Sequence, residues 1–195
     1  MTLSRIPFLF VITGCLLLPS PGPALAVIFF IIAALTDWAD GWLARRSGQV
    51  SDFGKLMDAL ADKILMVGML VTLLSAGLLP TWTLALVLLI ITREFWVTGL
   101  RLVAAARGVV LAAENLGKYK TVFQIVSIAL LLLAQSIVVD FGGDLASGLG
   151  RVIFYSGLGV FIVAAALTIV SGAVYLWKYR SLMGIGETSG NHERS

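Results

Sequence analysis

Six apolar stretches, each closed by a turn signal or a group of charges, set out the plan of this chain. They run over roughly residues 6–18, 24–46, 52–79, 81–106, 118–139 and 150–177, with breaks at Pro, Gly and charged clusters. Long apolar runs of this kind predict helices rather than strands. The first is short for a crossing and follows a segment, residues 2–5, expected to lie at the membrane interface. The pattern therefore predicts an all-α integral membrane protein with six transmembrane helices, the first one short. A single membrane domain is expected over residues 1–180. The polar, Gly- and Ser-containing stretch 181–195 is expected to be a disordered cytoplasmic tail.

Composition sharpens this reading. Of 195 residues, 59% are hydrophobic and 13% charged, and the mean hydropathy is +0.99, too apolar for a soluble domain. The net charge of +3 is small and scattered, which argues against a nucleic-acid partner. Cys15 is the only cysteine, so no disulfide forms within the chain, and its apolar surroundings suit packing. The first apolar stretch ends at Pro19-Ser20-Pro21-Gly22-Pro23 without a small-residue cleavage site, so no cleavable signal peptide is expected.

Charge placement orients the helices. With the N-terminus in the cytoplasm, the inner connections hold Arg5, Arg45, Arg46, Lys55, Arg107, Lys118, Lys120, Lys178 and Arg180. The outer connections, near residues 19–23, 75–81 and 140–149, contain no Lys or Arg. The excess of cations on one side places both termini inside and disregards Asp140 and Asp144. Trp82 and Trp177 fall at span ends and read as interfacial anchors. His192, in the tail, is not expected to act.

Polar chemistry concentrates where the second span meets the third. Asp37, Asp40, Gly41, Ala44 and Arg45 follow i, i+3, i+4, i+7, i+8, one face of a helix, and Gly54, Asp58 and Asp62 follow i, i+4, i+8. Two antiparallel helices joined across residues 47–51 could converge four carboxylates. Carboxylates that close repel and resist ionisation, a conflict that a divalent cation removes. All-oxygen ligands suit Mg2+ or Mn2+ rather than zinc. Gly41 and Gly54 leave room for a ligand close to the backbone, and Arg45 has the planar fork that grips a phosphate. A second constellation lies in the fourth span, where Arg93, Val97 and Arg101 share a stripe. A guanidinium deep in an apolar span must face a polar cavity, an acid or an anionic ligand, and Glu94 could be an internal partner. Lys118 and Lys120, at the start of the fifth span, suit anionic lipid headgroups as well as an internal role.

The pattern D-x2-D-G-x2-A-R-x8-G-x3-D-x3-D, from Asp37 to Asp62, resembles the signature of the CDP-alcohol phosphatidyltransferases at every fixed position. Within that family, R-E-F-x-V-T-G-L-R (Arg93 to Arg101) and G-K-x-K-T (Gly117 to Thr121) are similar to the phosphatidylglycerophosphate synthase branch. The resemblance covers nearly the whole chain, from Thr2 to about Arg180. It implies transfer of a phosphatidyl group from CDP-diacylglycerol to sn-glycerol 3-phosphate, with release of CMP; size and the lack of a transit-like start predict the cytoplasmic membrane of a bacterium. It implies two Mg2+ or Mn2+ ions among Asp37, Asp40, Asp58 and Asp62, with Asp62 as the base for the acceptor hydroxyl. CDP-diacylglycerol would be contacted by Gly41, Ala44, Arg45, Ser51 and Gly54, and the acceptor phosphate by Arg93, Arg101 and Lys118. A homodimer is also implied. Members commonly carry a few further residues, including an Asn, ahead of the segment matched by Thr2 and Arg5, so that contact is not expected here.

Other readings stay open at this point. Another branch would use inositol phosphate, serine or phosphatidylglycerol as acceptor. A prenyltransferase also places Asp-rich motifs and Mg2+ in membrane helices, but Gly41, Ala44-Arg45 and Gly54 argue against it. An ion or proton transporter would leave Arg45, Ser51 and the basic stripe without a role.

Overall fold

The computed structural model describes residues 5–47, 52–106, 108, 115–143 and 148–179. At positions 37, 38, 40–47, 52–59, 62, 106, 115, 116 and 118 it describes the backbone alone. The expected tail and His192 therefore lie outside the described residues, as does Ser51.

The described residues form six α-helices: α1 (Arg5–Leu17), α2 (Gly22–Ser47), α3 (Asp52–Ser75), α4 (Leu84–Ala106), α5 (Asn115–Val139) and α6 (Gly148–Lys178). Each matches one apolar stretch of the sequence to within a few residues. Three helical segments, Thr81–Ala105, Tyr119–Val139 and Gly148–Lys178, are long and apolar enough to cross a membrane. Arg5–Leu17, Gly22–Thr36 and Lys63–Ser75 are apolar but shorter. The chain is thus an all-helical, multi-pass membrane protein.

The breaks between helices have local causes. α3 stops where Gly77 takes a positive φ of 73°, letting the Leu78 amide reach back to the Leu73 carbonyl at 2.9 Å. Pro80 then bars continuation, and a 3-10 turn at Thr81–Thr83 leads into α4, with Thr83 Oγ1 donating to the Pro80 carbonyl at 2.7 Å. At the start of α2, the amide of Ala24 donates to Oδ2 of Asp140 at 2.7 Å, and Ser136 Oγ donates to the same oxygen at 2.9 Å. A carboxylate from the end of α5 thereby caps the positive end of α2.

Packing interleaves helices distant in sequence. α5 lies on α6 and α2, α1 on α2 and α3, and α4 on α6. Ile12, Phe30, Met69, Leu73, Ile90, Leu131 and Phe161 meet in one core drawn from all six helices, with Cys15 packed at its margin as expected. Polar bonds cross the same interfaces. The Thr13 and Thr72 hydroxyls sit 2.9 Å apart between α1 and α3, and Ser127 Oγ donates to the Gly157 carbonyl at 3.0 Å between α5 and α6. The outside of the bundle is as apolar as the inside: Phe10, Leu35, Val71, Leu88, Trp96, Val122, Val152 and Val170 all stand exposed. Water would not tolerate that surface, whereas lipid does. Trp82 and Trp177 are exposed at the start of the α4 segment and the end of α6, where anchors belong.

Candidate active site

The Asp-rich stretch occupies the last turns of α2 and the first turns of α3. Because α2 is helical through Ser47 and α3 from Asp52, the positions of Asp37, Asp40, Gly41, Ala44 and Arg45 share one stripe, and those of Gly54, Asp58 and Asp62 share another. The side chains of these residues, and of Lys118, lie outside the described residues. Among the described residues no group of three or more His, Cys, Asp or Glu could hold a metal. The donor chemistry at the α2–α3 junction does fit one. The sequence offers four carboxylates on these two helix ends, with neither thiolate nor imidazole among them, and hard oxygen donors of that kind suit Mg2+ or Mn2+.

The second constellation is described in full apart from Lys118. Arg93 of α4 points toward α6, where its Nη2 donates to Ser171 Oγ at 3.1 Å. Its stem crosses Gly172; a β-carbon there would stand 2.6 Å from Arg93 Cγ, so only glycine admits the arginine at this depth. Its Nη1 donates to Glu94 Oε1 at 3.1 Å, with both side chains only 14% exposed. The buried Nε finds no partner among the described residues. Arg101, two turns further along the stripe, donates from Nε to the hydroxyl of buried Tyr175 at 3.2 Å and lies 5.4 Å from that ring's centre.

Lys120 departs from one of the two roles open to it in the sequence. It does not sit at the lipid surface. Its side chain is 7% exposed and its Nζ donates to Oε1 of Glu94, the oxygen that also accepts from Arg93. The reason is helical phase: Lys120 is one full turn before Gln124, which is buried against Thr168 of α6, so both face the bundle. Sequence reasoning also missed Ser171 and Tyr175. Their signal was available, since with Thr168 they form a polar stripe at i, i+3, i+7 in a largely apolar helix.

A small recess adjoins the second constellation at Glu94. Lys63, Met66, Val67 and Leu70 of α3 line it with Ile90 and Glu94 of α4 and Thr121 and Gln124 of α5. Lys63 directly follows Asp62 in sequence, so the recess and the second half of the acidic stretch share helix α3. Buried cations that share one carboxylate are chemistry that suits a phosphate group.

The model of one family, CDP-alcohol phosphatidyltransferase, matches residues 1–177 of the sequence. The chain belongs to that family. Among similar CDP-alcohol phosphatidyltransferases is the CDP-diacylglycerol–glycerol-3-phosphate 3-phosphatidyltransferase of Bacillus subtilis (strain 168). It is 52% identical over 106 residues, covering 54% of this chain and 53% of the relative. A protein of the same name from Cereibacter sphaeroides is 40% identical over 112 residues, 57% of this chain and 51% of its own length. Another, from Salmonella choleraesuis (strain SC-B67), is 36% identical over 156 residues, 79% of this chain and 78% of its own. The matched stretch thus spans about half the length of the first two relatives and more of the third.

Proposed function

We propose that this chain transfers a phosphatidyl group from CDP-diacylglycerol to sn-glycerol 3-phosphate, giving phosphatidylglycerophosphate and CMP. One observation carries the reading: a member of this family holds Arg93 and Lys120 inside its bundle, with Arg101 further along the same stripe of α4, next to the helix that bears Asp58 and Asp62. The names of its relatives, up to 52% identical, support the same acceptor.

In this reading, Arg93, Arg101 and Lys118 receive the acceptor's phosphate, a small dianion, and Lys120 stands with them. Gly41, Ala44, Arg45, Ser51 and Gly54 hold the CDP portion of the donor, whose acyl chains stay in the bilayer. The acceptor hydroxyl attacks the phosphatidyl phosphorus. A new P–O bond forms, the P–O bond to CMP breaks, and the hydroxyl proton passes to a carboxylate oxygen of Asp62. A carboxylate is a weak base, so the residues that hold the acceptor must supply orientation. Asp37, Asp40, Asp58 and Asp62 would hold two Mg2+ or Mn2+ ions, in keeping with the general metal dependence of the family. When bound, such ions supply Lewis-acid stabilisation of charge on the diphosphate. We further propose six crossings, with α1 short and preceded by an interfacial segment, as one domain over residues 1–180. Residues 181–195 would form a disordered tail, and both termini and the site would face the cytoplasm of a bacterial cell. The working unit would be a homodimer.

The test is turnover by the purified protein with CDP-diacylglycerol and a panel of acceptors: glycerol 3-phosphate, inositol phosphate, serine and phosphatidylglycerol. CMP release is expected with glycerol 3-phosphate. Release with another acceptor and none with this one would overturn the assignment.

A further inference from the structure

Glu94 is the structural centre of the cationic cluster. Its Oε1 accepts from Arg93 of its own helix and from Lys120 of α5, two cations that would otherwise repel each other. Arg93 is also fixed by Ser171 of α6 and by the groove that Gly172 leaves, so α6 joins the cluster through the arginine. Among these three ionic groups, two cations face one anion, which leaves one positive charge over in a place nearly closed to water. The buried Arg93 Nε adds a donor with no partner among the described residues. Uncompensated charge in an apolar span is costly unless an anion completes it. A lysine also has a flexible stem, and holding it in place before binding removes part of the ordering cost.

We propose that Glu94 is a positioning residue for the acceptor. It holds Arg93 and Lys120 at a fixed separation, so that the incoming phosphate meets a cradle already assembled across α4, α5 and α6. This rests on the glycerol 3-phosphate reading above. Glu94 itself acts on the acceptor only through the two cations.

The experiment compares the full chain with its Glu94→Gln and Glu94→Asp variants, in detergent micelles containing CDP-diacylglycerol, with glycerol 3-phosphate varied. Glu94→Gln is expected to raise the KM for glycerol 3-phosphate about tenfold or more, while the KM for CDP-diacylglycerol stays within about twofold. Glu94→Asp, which keeps the carboxylate on a shorter stem, should fall between the two. A carboxylate that served only to stabilise the fold would reduce the yield of folded protein without separating the two KM values. The proposal is overturned by equal changes in both KM values, by a loss confined to kcat, or by a folded variant with the parental acceptor KM. If Glu94→Gln does not fold, Glu94→Asp decides by the same comparison, and failure of both to fold also overturns the proposal. Absence of CMP release by the parent protein with glycerol 3-phosphate is a different result, because it overturns the underlying reading instead.

Discussion

Replacing Gly172 by alanine tests the seat of Arg93 directly. A β-carbon at this position would stand 2.6 Å from Arg93 Cγ and 3.3 Å from Nε, where ordinary contact begins at 3.4 Å. About 0.8 Å of overlap with Cγ must therefore be relieved, by subtraction of those two distances. The arginine cannot simply swing away, because its tip is tied to Ser171 on one side and to Glu94 on the other. Either α4 and α6 part, at about 1–3 kcal/mol for overpacking, or a charged hydrogen bond is lost, at about 1.5–3 kcal/mol. Alanine offsets up to about 1 kcal/mol through its better helix propensity, so a control is needed. Gly159→Ala provides it, since it lies on the same helix with nothing within 4 Å of the added carbon. The difference between the two variants isolates the clash. At about 2–4 °C per kcal/mol for a chain of this size, Gly172→Ala should melt roughly 2–12 °C below Gly159→Ala in detergent, followed by tryptophan fluorescence. It should also weaken glycerol 3-phosphate binding. A Gly172→Ala protein that melts at or above the control would refute the close approach of Arg93 to α6.

Other outcomes follow from the same geometry. Asp140→Ala removes the acceptor used by the Ala24 amide and the Ser136 hydroxyl, and should cost about 1–3 kcal/mol, read as a lower melting temperature with CMP release at low temperature unchanged. Tyr175→Phe keeps the ring under Arg101 but removes its hydroxyl, and should raise the acceptor KM several-fold, or about 1 kcal/mol, without changing the donor KM. Asp62→Asn should abolish CMP release while leaving the melting temperature within a few degrees; parental turnover would remove Asp62 from the role of base. Chelation of divalent ions should stop turnover, with recovery on adding Mg2+ or Mn2+, and activity that persists in chelator would count against the carboxylate metal site.

The helices were readable in the sequence because an apolar span leaves few alternatives to helix, and its ends are marked by Pro80, by the prolines at 19, 21 and 23, and by charge. The Asp37–Asp62 pattern was readable because every member lies within two adjacent helices. Contacts between α4, α5 and α6 were not. Glu94 and Lys120 are 26 residues apart and meet only if two helices adopt particular rotations, which one sequence does not specify. Asp140 was passed over because the rule that sorts inner from outer loops counts cations and is silent on acids. Its carboxylate instead answers a backbone demand at residue 24, which no local pattern announces.

That last pairing bears on how the protein is made. Ala24 and Asp140 are separated by 116 positions, so the first hairpin of helices emerges from the ribosome long before the group that caps the start of α2. A nascent chain arrested ahead of residue 140 carries this hairpin with the Ala24 amide still lacking its late acceptor. Proteolysis at the turn around residues 19–23, compared between such arrested chains and the released protein, would show the early segment waiting for a late one to lock it.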